Sequence, residues 1–191
     1  MIYIIFISFT FSLFTKLNCQ YVTDNLLSSV NSIVCQNPSQ YGFIKRDGTS
    51  FHYTVADLTM DWFSAENYCQ SLGGHLATSK NSDDDKYLKS FLGEKVYNID
   101  KLNLGFYWKA WSSQNSGYWI GAIRSVLTNT WTFVDGSQVI FTKWASSQPD
   151  NDDNNENVLI DNFIFSNDTY IGWNDFAPFS YNFHVICQLK C

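Results

Sequence analysis

Charge is scarce in this chain. Asp, Glu, Lys and Arg make up 16% of the 191 residues, and the formal net charge is −6. An acidic chain without a basic stripe is a poor nucleic-acid binder. Beyond Ile2–Phe14, no apolar run approaches the roughly 20 residues that a membrane-spanning helix needs. The five cysteines form no Cys-x-x-Cys pair and no two histidines stand close, which argues against zinc. Gly-x-Ser-x-Gly is missing, so nothing supports a serine-elbow hydrolase. No internal repeat is visible, and residues 20–34 carry no heptads from which to build a coiled coil.

What is present reads as one globular domain with a sizeable core: 45% of residues are hydrophobic and 18% aromatic. The apolar run Ile2–Phe14 is too short to span and suits the h-region of a signal peptide. Residues 1–19 are therefore expected to be removed, with Gln20 opening a secreted, soluble chain. Cys35, Cys69, Cys187 and Cys191 would remain, an even set in an oxidising compartment that allows three pairings. Asn167-Asp168-Thr169 is a glycosylation sequon, expected on a surface segment.

Residues 20–34 alternate weakly and suit either a short stalk or a helix. Trp62, Ala65, Cys69 and Leu72 fall on one helical face, with Asp61 as cap and Gly73-Gly74 as stop. Ser82 with Asp85 predicts a capping box opening a second helix, with Leu88, Phe91 and Leu92 buried and Gly93 ending it. Residues 94–117 read as an inserted loop. Short strands are expected over 118–124, 130–137, 158–165 and 181–189, separated by the polar loop 148–157. Two helices followed by short strands make an α+β domain.

The polar loop supplies Gln148, Asp150 and Glu156, and Trp173-Asn174-Asp175 adds an amide and a carboxylate. Calcium takes about 6–8 oxygen ligands, mostly carboxylates and carbonyls. These five side chains with one backbone carbonyl would nearly fill its shell, leaving room for two sugar hydroxyls. A solvated Asn/Asp turn is the plainer reading of the loop alone. An EF-hand is excluded, because Asn155 stands where its Gly belongs and Asp161 where its Glu belongs.

The chain resembles the C-type lectin-like domains. WFSAENYCQSLGGHLA at 62–77, YWIGA at 118–122, WTFVDGS at 131–137, Trp144, QPDN at 148–151, WND at 173–175 and ICQ at 186–188 occur in the family's order. The resemblance covers residues 35–191 and implies a double-looped α+β fold with small antiparallel sheets and disulfides. It also implies a calcium-bound sugar site on Gln148, Asp150, Glu156, Asn174 and Asp175. The family's auxiliary calcium ligands correspond to Arg124, Thr128, Asn151 and Asn157, so no auxiliary site is expected. Cys69 should pair with Cys187 as in the family. His52 stands where the usual partner of Cys35 often lies, which leaves Cys35 to Cys191. The family's inner bridge falls at Val158 and Pro178 and is absent, which implies a looser site loop.

The implied mechanism breaks no bond. Two vicinal hydroxyls complete the calcium shell, accept from the amide N–H groups of Gln148 or Asn174, and donate to Asp150 or Glu156. A Gln-Pro-Asp order is associated in the family with galactose and N-acetylgalactosamine. The aromatic that often stacks on such sugars is missing from the loop, with Phe163, Phe165 and Tyr170 as possible substitutes. Trp62, Trp119, Trp131, Trp144 and Trp173 are expected in the core. A calcium-independent protein-binding module of the same fold is the alternative function. A secreted hydrolase is disfavoured, since catalytic carboxyls are normally partly buried and this loop reads as exposed.

Overall fold

The computed structural model describes residues 24–102, 117–164 and 169–191, with the backbone alone for 96–102, 153, 163–164 and 169–171. The expected signal peptide, the sequon at Asn167 and most of the expected insertion lie outside the described residues. So do the side chains of Phe163, Phe165 and Tyr170.

Among the described residues there are three α-helices: α1 over 24–34, α2 over Trp62–Ser71 and α3 over Ser82–Leu102. Eight strands among the described residues follow the chain as β1 Ile44–Lys45, β2 Phe51–Val55, β3 His75–Leu76, β4 Gly117–Arg124, β5 Trp131–Phe133, β6 Val158–Ile164, β7 Thr169–Phe176 and β8 Ile186–Lys190. They form two four-stranded antiparallel sheets, ordered β1-β2-β8-β3 and β5-β4-β6-β7. This is the α+β architecture expected from the sequence.

The apolar run of β4 reflects burial on both faces. Trp119 joins a cluster with Trp62, Ala65, Cys69 and Ile160, whereas Tyr118, Ile120 and Ala122 join Leu88, Phe91, Leu92 and Trp173. Alternate residues of one strand thus face α2 and α3. Helix α2 begins where Asp61 accepts the Ser64 N–H at 3.0 Å. It ends at Gly73, whose φ of +79° is a left-handed value that glycine adopts without Cβ strain. Segment 24–34 is a helix and not a free stalk: Val34 is buried in the first cluster, and Asn31 Nδ2 donates to the Gly73 carbonyl at 2.8 Å.

Two local expectations are corrected. Asn81 caps α3, its Oδ1 accepting the N–H groups of Asp83 and Asp84 at 2.9 Å each. Asp85 is withdrawn from any capping role because it is buried against Lys89 and Lys143, at 2.6 and 2.8 Å. Nor does Gly93 end the helix, which runs on to Leu102. A helical glycine costs only about 1 kcal/mol relative to alanine, and the good helix formers Glu94 and Lys95 follow it. Residues 94–102 are therefore helix and not loop.

The disulfides are Cys69–Cys187 and Cys35–Cys191, with Cα separations of 5.2 and 5.4 Å. Val158, at one position of the absent inner bridge, is buried in the core instead.

Candidate functional site

The polar loop is held at both ends by β7. At its start Trp173 N–H donates to the Lys143 carbonyl at 2.8 Å, and Ala145 N–H donates to the Trp173 carbonyl at 2.9 Å. Gly172 makes this approach possible, since a Cβ there would meet Ala145 N at 2.7 Å. At its end Asn157 N–H donates to the Phe176 carbonyl at 3.1 Å, and Val158 pairs with Phe176. Between these anchors lies the cis peptide bond Gln148–Pro149.

Asn174 and Asp175, the middle of the same strand segment, therefore face a loop fixed at both flanks. Asp175 is fully buried, and its Oδ1 and Oδ2 accept the N–H groups of Asp150 and Asn151, each at 3.0 Å. Glu156 Oε2 accepts the Asp152 N–H at 2.9 Å. Carboxylate oxygens of Asp150, Glu156 and Asp175 all lie within 4.8 Å of one another. Burial pushes the Glu156 carboxyl up to about 7, against the pull of the Asp152 N–H, and the neighbouring Asp175 and Asp150 carboxylates push the same way.

Gln148 Oε1 and Asn174 Oδ1 are buried with no hydrogen-bond partner among the described residues. Buried acceptors of this kind call for a partner. Three mutually repelling carboxylates and two unsatisfied amide oxygens form an all-oxygen donor set, which fits a hard divalent cation such as calcium. Of the five residues predicted as ligands, three carboxylates are brought together, and the two amides supply the orphaned acceptors.

Arg124 at the end of β4 lies against the loop. It donates through Nη2 to Asn151 Oδ1 and, at 2.7 Å, to the Glu156 carbonyl. Two of the positions assigned to an auxiliary site, Arg124 and Asn151, are thus bonded to each other. Of the tryptophans expected in the core, Trp62, Trp119 and Trp173 are buried. Trp131 and Trp144 are only half-buried, which sequence position could not reveal.

Away from the loop, sequence reasoning missed a buried charge network. Lys89 Nζ lies 2.6 Å from Asp85 and 3.2 Å from Asp161, and Tyr118 donates its hydroxyl to Asp161 at 2.8 Å. Burial pushes the Asp161 carboxyl up to about 7, with Lys89 opposing.

The family profile for the Lectin C-type domain matches residues 58–188. The chain belongs to the C-type lectin domain family. This C-type lectin domain is 27% identical over 149 residues to the alpha-N-acetylgalactosamine-specific lectin of Patiria pectinifera, covering 75% of this chain and 76% of that one. Several other curated relatives are matched over only about half of their length. Among solved structures it shares its fold with the C-type lectin CEL-I of Cucumaria echinata, with a TM-score of 0.55, 24% identity, and coverage of 78% of this chain and 94% of that one. The Ca2+-independent C-type lectin SPL-2 of Saxidomus purpuratus is equally similar in fold, with a TM-score of 0.57, 22% identity, and coverage of 78% and 92%. The family is a carbohydrate-binding one and not an enzyme family.

Proposed function

We propose that this chain is a secreted lectin that binds galactose-type sugars through one calcium ion, with no auxiliary ion. The observation that carries the reading is the pairing of the carboxylate cluster of Asp150, Glu156 and Asp175 with the orphaned oxygens of Gln148 and Asn174. The fold alone does not decide it, because SPL-2 shares the fold and is Ca2+-independent.

In this reading the five side chains hold the ion, and bound calcium supplies a Lewis-acidic centre for two vicinal hydroxyls of a sugar. Gln148 and Asn174 keep amide N–H groups to donate to those hydroxyls. Asp150 and Glu156 accept from them, and such charge-assisted bonds are the stronger kind. Buried Asp175 holds the turn after Pro149 in register through the Asp150 and Asn151 amides. The preference for galactose or N-acetylgalactosamine follows from the Gln148-Pro149-Asp150 order, and the Patiria relative's specificity agrees with it. The likeness to carbohydrate-binding relatives supports glycans as partners. Secretion, with glycosylation at Asn167, rests on the sequence. Monovalent binding through one ion and two hydroxyls is expected to be weak, so that avidity sets the working affinity.

Purified protein should be retained on a galactose resin in millimolar calcium and released by a chelator. Retention on mannose alone would keep the calcium site and overturn the sugar preference. Retention on neither, with no calcium heat in calorimetry, would overturn the lectin reading in favour of a calcium-independent protein binder.

A further inference from the structure

Trp131 and Trp144 pack at 5.7 Å between ring centroids and remain half-buried. Both line a cleft of about 540 Å3 whose wall also includes Pro149 and Asn151, the chain neighbours of Asp150. The cleft therefore borders the loop that carries Asp150. Its lining carries a single charged residue, Arg124, in a chain whose net charge is −6.

Arg124 meets no carboxylate directly. Its guanidinium donates to Asn129 Oδ1 at 3.2 Å, to Asn151 Oδ1 and to the Glu156 carbonyl at 2.7 Å, all neutral acceptors. No ion pair to it occurs among the described residues, and its Nε has no hydrogen-bond partner there. The guanidinium carbon stands 5.9 Å from the Trp131 ring centroid, which orients the cation along the cleft's aromatic wall.

Indole surface offers a platform for the apolar face of a sugar ring, and the amides of Asn129 and Gln138 offer hydroxyl partners. Beside these hydroxyl partners, a cation with no direct ion pair among the described residues offers a contact for negative charge. We propose that this cleft is a second saccharide subsite that takes an anionic sugar, carrying sulfate or carboxylate, linked to the sugar held at the acidic cluster. The inference rests on the lectin reading above.

The test uses three disaccharides that share a terminal galactose: N-acetyllactosamine, the same sugar sulfated at the 6-position of its inner unit, and galactosyl-glucuronic acid. Each is titrated into the full chain with calcium, alongside a titration of calcium alone. At least one anionic probe should bind about tenfold tighter than the neutral one, the gain expected of one charge-assisted contact. Whether sulfate or carboxylate gives the gain identifies the group. The ratio of anionic to neutral affinity should fall toward one in Arg124→Gln. It should fall likewise in Thr142→Glu, which adds a carboxylate to the lining from an exposed position. Because a ratio is read, a general loosening of the loop cancels. Equal calcium-dependent binding of all three probes by the wild type would overturn the subsite and leave the lectin reading standing. A preference unchanged in both variants would also overturn it. No calcium heat and no binding of any probe would remove the lectin reading itself, and the subsite with it.

Discussion

Asp175 holds Asp150 by its backbone, the carboxylate accepting the Asp150 N–H at 3.0 Å while its second oxygen takes the next N–H at the same distance. One buried side chain thus shapes the loop and contributes to the acidic cluster. Asp175→Ala should leave two loop amides unpaired and cost about 2–4 kcal/mol. Urea unfolding in chelator measures this free of any metal contribution. Unchanged stability would mean that the loop does not depend on this carboxylate for its shape.

Calcium should stabilise the wild type. A ligand at a hundredfold excess over its Kd adds about 2.7 kcal/mol, or about 5–10 °C in Tm for a chain of this size. Thermal unfolding with and without a chelator reads the shift directly. In Asp150→Asn and Glu156→Gln it should vanish, while the chelated proteins melt close to the wild type. A shift that survives in both variants would place the ion elsewhere.

Much of this was legible in the sequence, for identifiable reasons. Helix α2 announces itself because its cap at Asp61 and its glycine stop are local. The five proposed ligands are legible because two short polar motifs carry them. Long-range pairing was invisible. Nothing near Lys89 in sequence points to Asp161, 72 positions on, and the spacing of Ser82 and Asp85 mimics a capping box although Asp85 is buried against Lys89 and Lys143. Half-exposure of Trp131 and Trp144 was hidden for the opposite reason, since motif positions suggested core. The run of α3 past Gly93 is not legible locally, because a helical glycine carries only a weak penalty and yet has the look of a stop.

The Lys89 network sets a third expectation. Removing one partner of a buried ion pair leaves an uncompensated charge, at a cost of about 3–5 kcal/mol. Lys89→Ala should lose stability on that scale by chemical unfolding, and Lys89→Arg should recover part of it. A loss below about 1 kcal/mol would show that water or Lys143 compensates Asp161.

Two histidines should tilt stability against pH in opposite senses. The hydrogen bond that His75 donates to the Glu66 carboxylate raises it above its ordinary 6.5, with burial opposing. Its contribution is fully present below pH 6.5 and is lost as pH rises through the raised value. Burial lowers His184 to about 4. Between pH 6.5 and 4 the unfolded chain takes up a proton that folded His184 refuses, so stability falls with acid, by about 3 kcal/mol in all. Melting curves from pH 4 to 8 should show a flatter acid limb in His184→Gln. In His75→Gln the deficit relative to wild type should be larger at pH 6 than at pH 8. The reverse pattern in either variant would refute the assignment.

The bridge between Cys35 and Cys191 has a mechanical consequence. A tension applied across those two residues runs through the sulfur atoms, and neither sheet lies in the path of the load. A molecule held at that end and pulled through a captured glycan would feel force only along the route from the bridge to the site.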